Sequence, residues 1–231
     1  GGAVAVPLLA LVLPLQVVDI DWFLLFAHPL MYATSPQALW LIAGGATLLL
    51  AALPWLSRGP LPVAARVDLA NCNGCGRCVA DCPYAAVTFE NGKAKVIAAR
   101  CAACGICAGA CPSSTPFRSA PELVSGIDLP ELTVQDLRGR LQAALPAEEI
   151  LFSCEQARAG GITLRCLAML PPSFVEYALR HGARRVRARG CRGECAYRLG
   201  LELSAARFAG GREPHLRANV RVERHGDDYA F

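Results

Sequence analysis

The hydrophobic pattern divides the chain into unlike regions. Residues 1–56 are almost continuously apolar, with two acids, Asp19 and Asp21, and no Lys or Arg. Residues 37–56 run without a single charge. At about 1.5 Å of rise per residue, a helix of that length spans a hydrocarbon core of about 30 Å, so a transmembrane helix is predicted there. Gly44 and Gly45 in its middle allow close approach of another helix. The earlier apolar run, residues 3–15, is too short to span. It starts abruptly with no basic residue before it, so it reads as the tail of a longer helix rather than a signal peptide. A further apolar stretch runs from the Asp19/Asp21 loop to Tyr32, giving a region of membrane helices over 1–60, truncated at its amino end. Trp22, Tyr32, Trp40 and Trp55 fall at the expected membrane interfaces. Arg58 and Arg66 follow the spanning run, and the positive-inside rule then puts the rest of the chain in the cytoplasm, anchored to the inner membrane. Pro60 and Pro62 stiffen the connection.

After residue 60 the apolar runs shorten. Residues 86–90 and 95–97 flank Asn91-Gly92, the signature of a β-hairpin with a tight turn. Residues 148–154, 161–167 and 184–190 read as strands, with a helix over 172–181 closed by Gly182 and another from Cys195 to Arg207. Strand–helix–strand alternation predicts a small α/β domain with a parallel sheet. Residues 122–145 read as a linker with a short amphipathic helix over 134–145, and the polar tail after Arg212 as loose. The expected fold class is therefore multidomain: transmembrane helices (1–60), an α+β dicluster domain (61–120), a linker (121–145) and an α/β domain (146–231).

Cysteine usage changes the picture most. There are 12 cysteines in 231 residues. Eight fall in two copies of one motif: Cys72-Asn-Gly-Cys75-Gly-Arg-Cys78-Val-Ala-Asp-Cys82-Pro83, and Cys101-Ala-Ala-Cys104-Gly-Ile-Cys107-Ala-Gly-Ala-Cys111-Pro112. This C-x2-C-x2-C-x3-C-P run holds [4Fe–4S] clusters, three thiolates wrapping one cubane and the fourth reaching the other cluster. Cys72, Cys75, Cys78 and Cys111 are thus assigned to the first cluster, and Cys101, Cys104, Cys107 and Cys82 to the second. A zinc site would show paired rather than tripled CxxC, and a cytoplasmic location argues against disulfides. The net charge of +4 makes no case for nucleic acid. Over 66–118 the pattern resembles the dicluster bacterial-type ferredoxins throughout.

The other four cysteines, Cys154, Cys166, Cys191 and Cys195, lie in the last third. Three of them follow strands, at the edge where α/β folds place ligands. The segments Ile150-Leu-Phe-Ser-Cys154, Thr163-Leu-Arg-Cys166 and Gly190-Cys191-Arg-Gly-Glu-Cys195-Ala-Tyr197 resemble the delta-subunit family of methyl-viologen-reducing and F420-reducing hydrogenases, a module also used by heterodisulfide reductases. That resemblance implies a [2Fe–2S] cluster on Cys154, Cys166, Cys191 and Cys195. The chain departs from the family in having Gln156-Ala157 after the first cysteine and Ala196 where His is frequent.

Ile20-Asp21-Trp22-Phe23, in a loop between apolar runs, resembles the quinol-site motif in the carboxyl-terminal half of cytochrome b, with Asp21 at the glutamate position. An interfacial acid of that kind accepts a quinol proton, which makes Asp21 a catalytic candidate and quinone a candidate ligand. His28 alone gives no haem site, since haem b needs paired axial ligands. His181, His215 and His225 read as surface residues. Arg185, Arg187 and Arg189 read as the solvated face of an edge strand, or a surface steering an acidic redox partner.

The expected function is a membrane-anchored electron-transfer subunit, moving electrons between a quinone or cytochrome b-type unit and a cytoplasmic redox enzyme such as a hydrogenase or heterodisulfide reductase-like partner. The alternatives are a quinone oxidoreductase subunit using Asp21, and a membrane-anchored iron–sulfur redox sensor.

Overall fold

A computed structural model describes residues 35–56, 62–191 and 195–231. The chain separates into two compact units, residues 1–61 and 62–231.

In the first unit the described part is helix α1, Pro36–Leu56. The Ser35 hydroxyl accepts the Ala38 N–H at 3.3 Å, starting the helix as an N-cap does. Its apolar side chains are exposed on every side, including Trp40, Leu41, Leu48, Leu49 and Trp55. Residues 37–55 are long and apolar enough to cross a membrane by length and composition. The other expected membrane segments, with Asp21, Trp22, His28, Tyr32, Arg58 and Pro60, lie outside the described residues.

The second unit begins with β1 (Arg66–Val67), then α2 (Arg77–Ala80), the hairpin β2 (Val87–Glu90) and β3 (Lys93–Val96), and α3 (Ile106–Ala110). The Asn91-Gly92 turn has positive φ at both residues, as the two-residue hairpin loop requires. Strand β4 (Ile127–Asp128) pairs antiparallel with β1.

Residues 121–145, expected to be a linker, are packed into the core instead. Leu123, Ile127, Leu129, Leu132, Val134, Leu137 and Leu141 are buried in one cluster with Cys107, Phe152 and Phe174. Helix α4 (Val134–Ala144) is fixed by a reciprocal cap: Thr133 accepts the Asp136 N–H, and Asp136 accepts that of Thr133. The half-buried Asp128 carboxylate accepts the Val134 and Leu129 N–H groups at 2.8 and 2.9 Å. The amphipathic face foreseen for this helix thus joins the two modules rather than spacing them.

A five-stranded sheet follows, in the order β6-β5-β7-β9-β8. Strand β5 (Ala147–Cys154) is parallel to both β6 (Ile162–Leu164) and β7 (Ala183–Arg189), with α5 (Pro172–Arg180) crossing between the latter two. After α6 (Gly200–Phe208), the hairpin β8 (Glu223–His225) and β9 (Asp228–Ala230) adds two antiparallel strands.

Three expectations are corrected here. The sheet is mixed rather than wholly parallel. The tail after Arg212 is not loose, because Tyr229 is 3% exposed and packs edge-on against Phe208 at 5.0 Å, as Phe231 does at 5.1 Å. Strand β7 is not an edge: β9 covers it, and Arg189 and Arg187 face Asp228 and Glu149 of neighbouring strands at 3.0 and 3.7 Å. The polar alternation of the tail hid its pairing, since its apolar residues, Leu216, Val220, Val222, Tyr229 and Phe231, are scattered among charged ones.

Two elements meet at a point that tolerates no extra atom. A Cβ on Gly109 of α3 would collide with the Ala168 carbonyl oxygen, in the short 3-10 turn Leu167–Met169 that follows Cys166. Beside it, Arg207 of α6 is 1% exposed and forms an ion pair with Asp81, also 2% exposed, next to Cys82.

Tyr229→Ala should lower unfolding stability by about 3 kcal/mol, as deletion of a buried aromatic does. Urea unfolding of the iron-loaded chain, followed by far-UV circular dichroism, measures this. An unchanged midpoint would mean that the tail is not part of the fold.

Candidate metal centres

The first triplet sits in a loop that only glycine permits. Gly74 and Gly76 have φ of 71° and 78°, the left-handed region. A Cβ at Gly74 would strike the Gly92 carbonyl, so the ligand loop lies directly on the hairpin turn. Lys93 of that hairpin donates from Nζ to the Cys72 carbonyl. Gly105 plays the same part in the second triplet, with φ of 78° ahead of α3.

Cys72, Cys75, Cys78 and Cys111 line one hollow. Cys82, Cys101, Cys104 and Cys107 line another. Each hollow therefore gathers three thiols from one motif and the fourth from the other motif, in the crossed arrangement expected from the spacing. Among the described residues, no three His, Cys, Asp or Glu side chains stand close enough to hold one metal ion. Thiols spread around a hollow suit a polynuclear cluster and not a single zinc, which needs its ligands within about 2.3 Å of one point.

The electrostatics point the same way. Burial, reinforced by the other thiols of its set, pushes Cys78 up to about 11. Burial does the same to Cys104, also to about 11, and raises Cys107 as well. Thiols crowded together away from water resist becoming thiolates unless iron supplies compensating positive charge. Backbone N–H groups of Ala86 and Ala65 donate to the sulfurs of Cys82 and Cys101, at 3.3 and 3.5 Å. Such bonds stabilise negative charge on the sulfur and tune a cluster's potential.

The last four cysteines also converge. Cys154 ends β5, Cys166 follows β6 and Cys191 follows β7, all at the carboxyl edge of the parallel strands. Residues 192–194 lie outside the described residues. Cys195 does not open the helix, as the sequence suggested. It stands in a turn ahead of α6, in which Arg198 has φ of 58° and donates its N–H to the Cys195 carbonyl at 3.1 Å.

The four thiols form two pairs. Sγ of Cys154 is 3.4 Å from Sγ of Cys191, well beyond the roughly 2.05 Å of a disulfide. Cys166 hydrogen-bonds Cys195, which also accepts the N–H groups of Tyr197, Leu201 and Gly200. The Cys166 bond and these amides pull Cys195 down to about 5, while the same bond and burial raise Cys166 strongly. Burial, then Cys154, lifts Cys191 to about 12. Gly200 is required here, because a Cβ would run into the sulfur of Cys166.

The second hollow and the third thiol set share one packed group. Cys104, Ile106, Cys166, Ala168 and Leu203 are buried together, with Tyr84 and Tyr197 packed against them. The Arg198 guanidinium lies 5.3 Å from the Tyr84 ring centroid. Motif reading passed over Tyr84, Asp81 and Arg207. The available signal was Asp81, an acid where the second motif has Ala110.

Residues 64–118 match the family model of a 4Fe-4S dicluster domain. Residues 154–225 match that of the methyl-viologen-reducing hydrogenase, delta subunit. The chain carries iron–sulfur electron-transfer domains related to hydrogenase subunits. No curated protein matches the chain.

The crossed hollows give a sharp expectation. Cys82→Ala should damage the cluster of Cys101, Cys104 and Cys107, and spare the one anchored by Cys72, Cys75 and Cys78. Cys111→Ala should do the reverse. Electron paramagnetic resonance of the two reduced variants distinguishes the sites, and loss of each variant's own triplet cluster would contradict crossed ligation.

Proposed function

We propose that this chain is a membrane-anchored electron-transfer subunit that passes single electrons along three iron–sulfur centres, between a membrane quinone unit and a cytoplasmic redox enzyme. The observation that carries the reading is the shared packing of Cys104 and Cys166, which brings the second four-thiol hollow against the third thiol set. Contact of that kind keeps the gap for electron transfer short and dry.

In this reading Cys72, Cys75, Cys78 and Cys111 hold the first [4Fe–4S] cluster, and Cys82, Cys101, Cys104 and Cys107 the second. Cys154, Cys166, Cys191 and Cys195 hold a [2Fe–2S] cluster. Two thiol pairs suit two irons, each taking two thiolates. When bound, the clusters supply one-electron redox chemistry. The chain's own residues hold the thiolates in place, exclude water through Tyr84 and Tyr197, and donate N–H groups to the sulfurs. The delta-subunit match supports a hydrogenase-like or heterodisulfide reductase-like partner.

The membrane half of the reading rests on α1, whose exposed apolar surface suits lipid. Arg58 and Arg66 favour the iron–sulfur domains on the cytoplasmic side. Asp21, as the proton acceptor for a quinol at the opposite interface, gives the quinone oxidoreductase variant of the same function.

Anaerobically purified protein should contain about ten irons per chain, falling to about eight in Cys191→Ala with loss of a [2Fe–2S] signal. About eight irons in the wild type would remove the third centre. In membranes containing the full chain, a short-chain quinol should reduce the clusters, and Asp21→Asn should slow this at least tenfold if Asp21 takes the proton. Reduction that is absent in the wild type would sink the quinone link, and reduction equally fast in Asp21→Asn would leave electron transfer without a role for that acid.

A further inference from the structure

Arg207 occupies a junction that neither motif explains. It lies on α6, far in sequence from the ferredoxin cysteines, yet its guanidinium reaches all three cysteine-bearing segments. Nη2 pairs with the Asp81 carboxylate, one residue before Cys82. Nη2 also lies 3.4 Å from the carbonyl of Ile106, one residue before Cys107. Nη1 donates to the carbonyl of Ala168, two residues after Cys166, at 2.6 Å. Among the described residues its Nε has no hydrogen-bond partner, so the geometry serves the fork at the expense of one buried donor.

The local charge does not cancel. Arg212 donates from Nε to the other Asp81 oxygen at 2.6 Å. Two guanidinium groups thus share one carboxylate, leaving a net charge of one positive unit. Arg207 and Asp81 are buried, where a charge is poorly screened and acts strongly on its neighbours. Replacing such a pair with apolar residues is often neutral for stability or better, so stability alone gives a weak reason for a buried cation here.

We propose that Arg207 is a positioning residue for electron transfer between the second four-thiol site and the third thiol set. It locks their separation through Asp81, Ile106 and Ala168, and its uncancelled charge raises the reduction potential of the centre beside Asp81. The inference rests on the electron-wire reading above. The step served moves one electron and no proton: the [4Fe–4S] centre is oxidised by one unit and the [2Fe–2S] centre reduced by one unit, or the reverse. Added negative charge on the reduced centre is what a nearby net cation stabilises, so the potential moves up.

Charge variants give a test that packing alone does not mimic. Arg207→Met leaves Asp81 balanced by Arg212 and removes the positive excess. Asp81→Asn leaves two arginines and increases it. Arg207→Lys keeps the charge and loses the fork. In redox titrations of the full, iron-loaded chain followed by electron paramagnetic resonance, the second [4Fe–4S] centre should shift down in Arg207→Met and up in Asp81→Asn. Each shift is expected at about tenfold in the reduction equilibrium, about 59 mV for a one-electron couple. Arg207→Lys should stay near the wild type in potential while weakening the magnetic interaction between the second and third centres. Shifts of the same sign in Arg207→Met and Asp81→Asn, or no shift in either, would overturn the proposal while leaving the wire intact. If Arg207→Met fails to hold iron, Asp81→Asn against Arg207→Lys decides: a rise in the first and constancy in the second supports the role, and any other outcome overturns it. A wild type with no reducible third centre would instead bring down the electron-wire reading, and this inference with it.

Discussion

The second unit is organised around one desolvated contact, the Arg207–Asp81 ion pair with its bond to the Ala168 carbonyl. Taking two such charges out of water costs several kcal/mol per ion, recovered only when the geometry satisfies both. That requirement gives the pair its organising power. Asp81 is fixed to the ligand run of the first motif, Ala168 to the turn after Cys166, and Arg207 to the helix after Cys195. A shift of Asp81 or of Ala168 would cost the buried guanidinium one of its partners. Gly109 makes the same contact sterically strict, because α3 approaches the Ala168 carbonyl with no room for a methyl group. Polar and steric constraints therefore converge where the ferredoxin module meets the sheet domain.

The thiols obey a different physics. In the two ferredoxin sets, burial and the neighbouring thiols disfavour the thiolate at Cys78, Cys104 and Cys107, which suits iron ligation rather than free thiol chemistry. Relief comes from backbone amides, which sit where chain geometry is unusual. Gly76 and Gly105 turn with positive φ ahead of α2 and α3, and Tyr197 of the turn before α6, with Gly200 and Leu201 at its start, donate N–H groups to Cys195. A ferredoxin loop and the edge of a parallel sheet thus reach the same end by different routes. The first wraps a hollow with one short chain segment, and the second brings three strand ends and a helix start to one place.

Much of this was legible in the sequence, for reasons that can be named. The eight cysteines of the tandem motifs carry fixed spacing, and spacing alone implied that Cys82 and Cys111 change places. Asn91-Gly92 announced its hairpin because only such residues accept that turn. Cys154, Cys166 and Cys191 were placed at strand ends because short apolar runs led into them. Long-range partnership was not legible. Residues 123–141 read as a linker because their leucines are scattered among polar residues, and nothing local says that Leu129 will pack near Cys107. The tail's pairing with β7 failed for the same reason. Its strands are three residues long, and their stability comes from Phe208, which lies fifteen or more residues away in sequence. Arg207 was invisible because a lone arginine in a helix ordinarily means solvent.

The position of Asp81 connects the fold to the chemistry. A carboxylate beside a cluster ligand makes electron acceptance harder, since reduction adds negative charge next to an existing one. Burial deepens that penalty, because little water is present to screen it. An electron carrier would be better served by an uncharged residue between Cys78 and Cys82 if the carboxylate stood alone. It does not: Arg207 and Arg212 both bind it, and Arg207 comes from the domain that carries the third thiol set. The acid next to the second site is therefore compensated only when the two domains are docked. Docking, ligand geometry and the charge around the second site are then one event, and the region that holds the domains together lies between the second four-thiol hollow and the third thiol set.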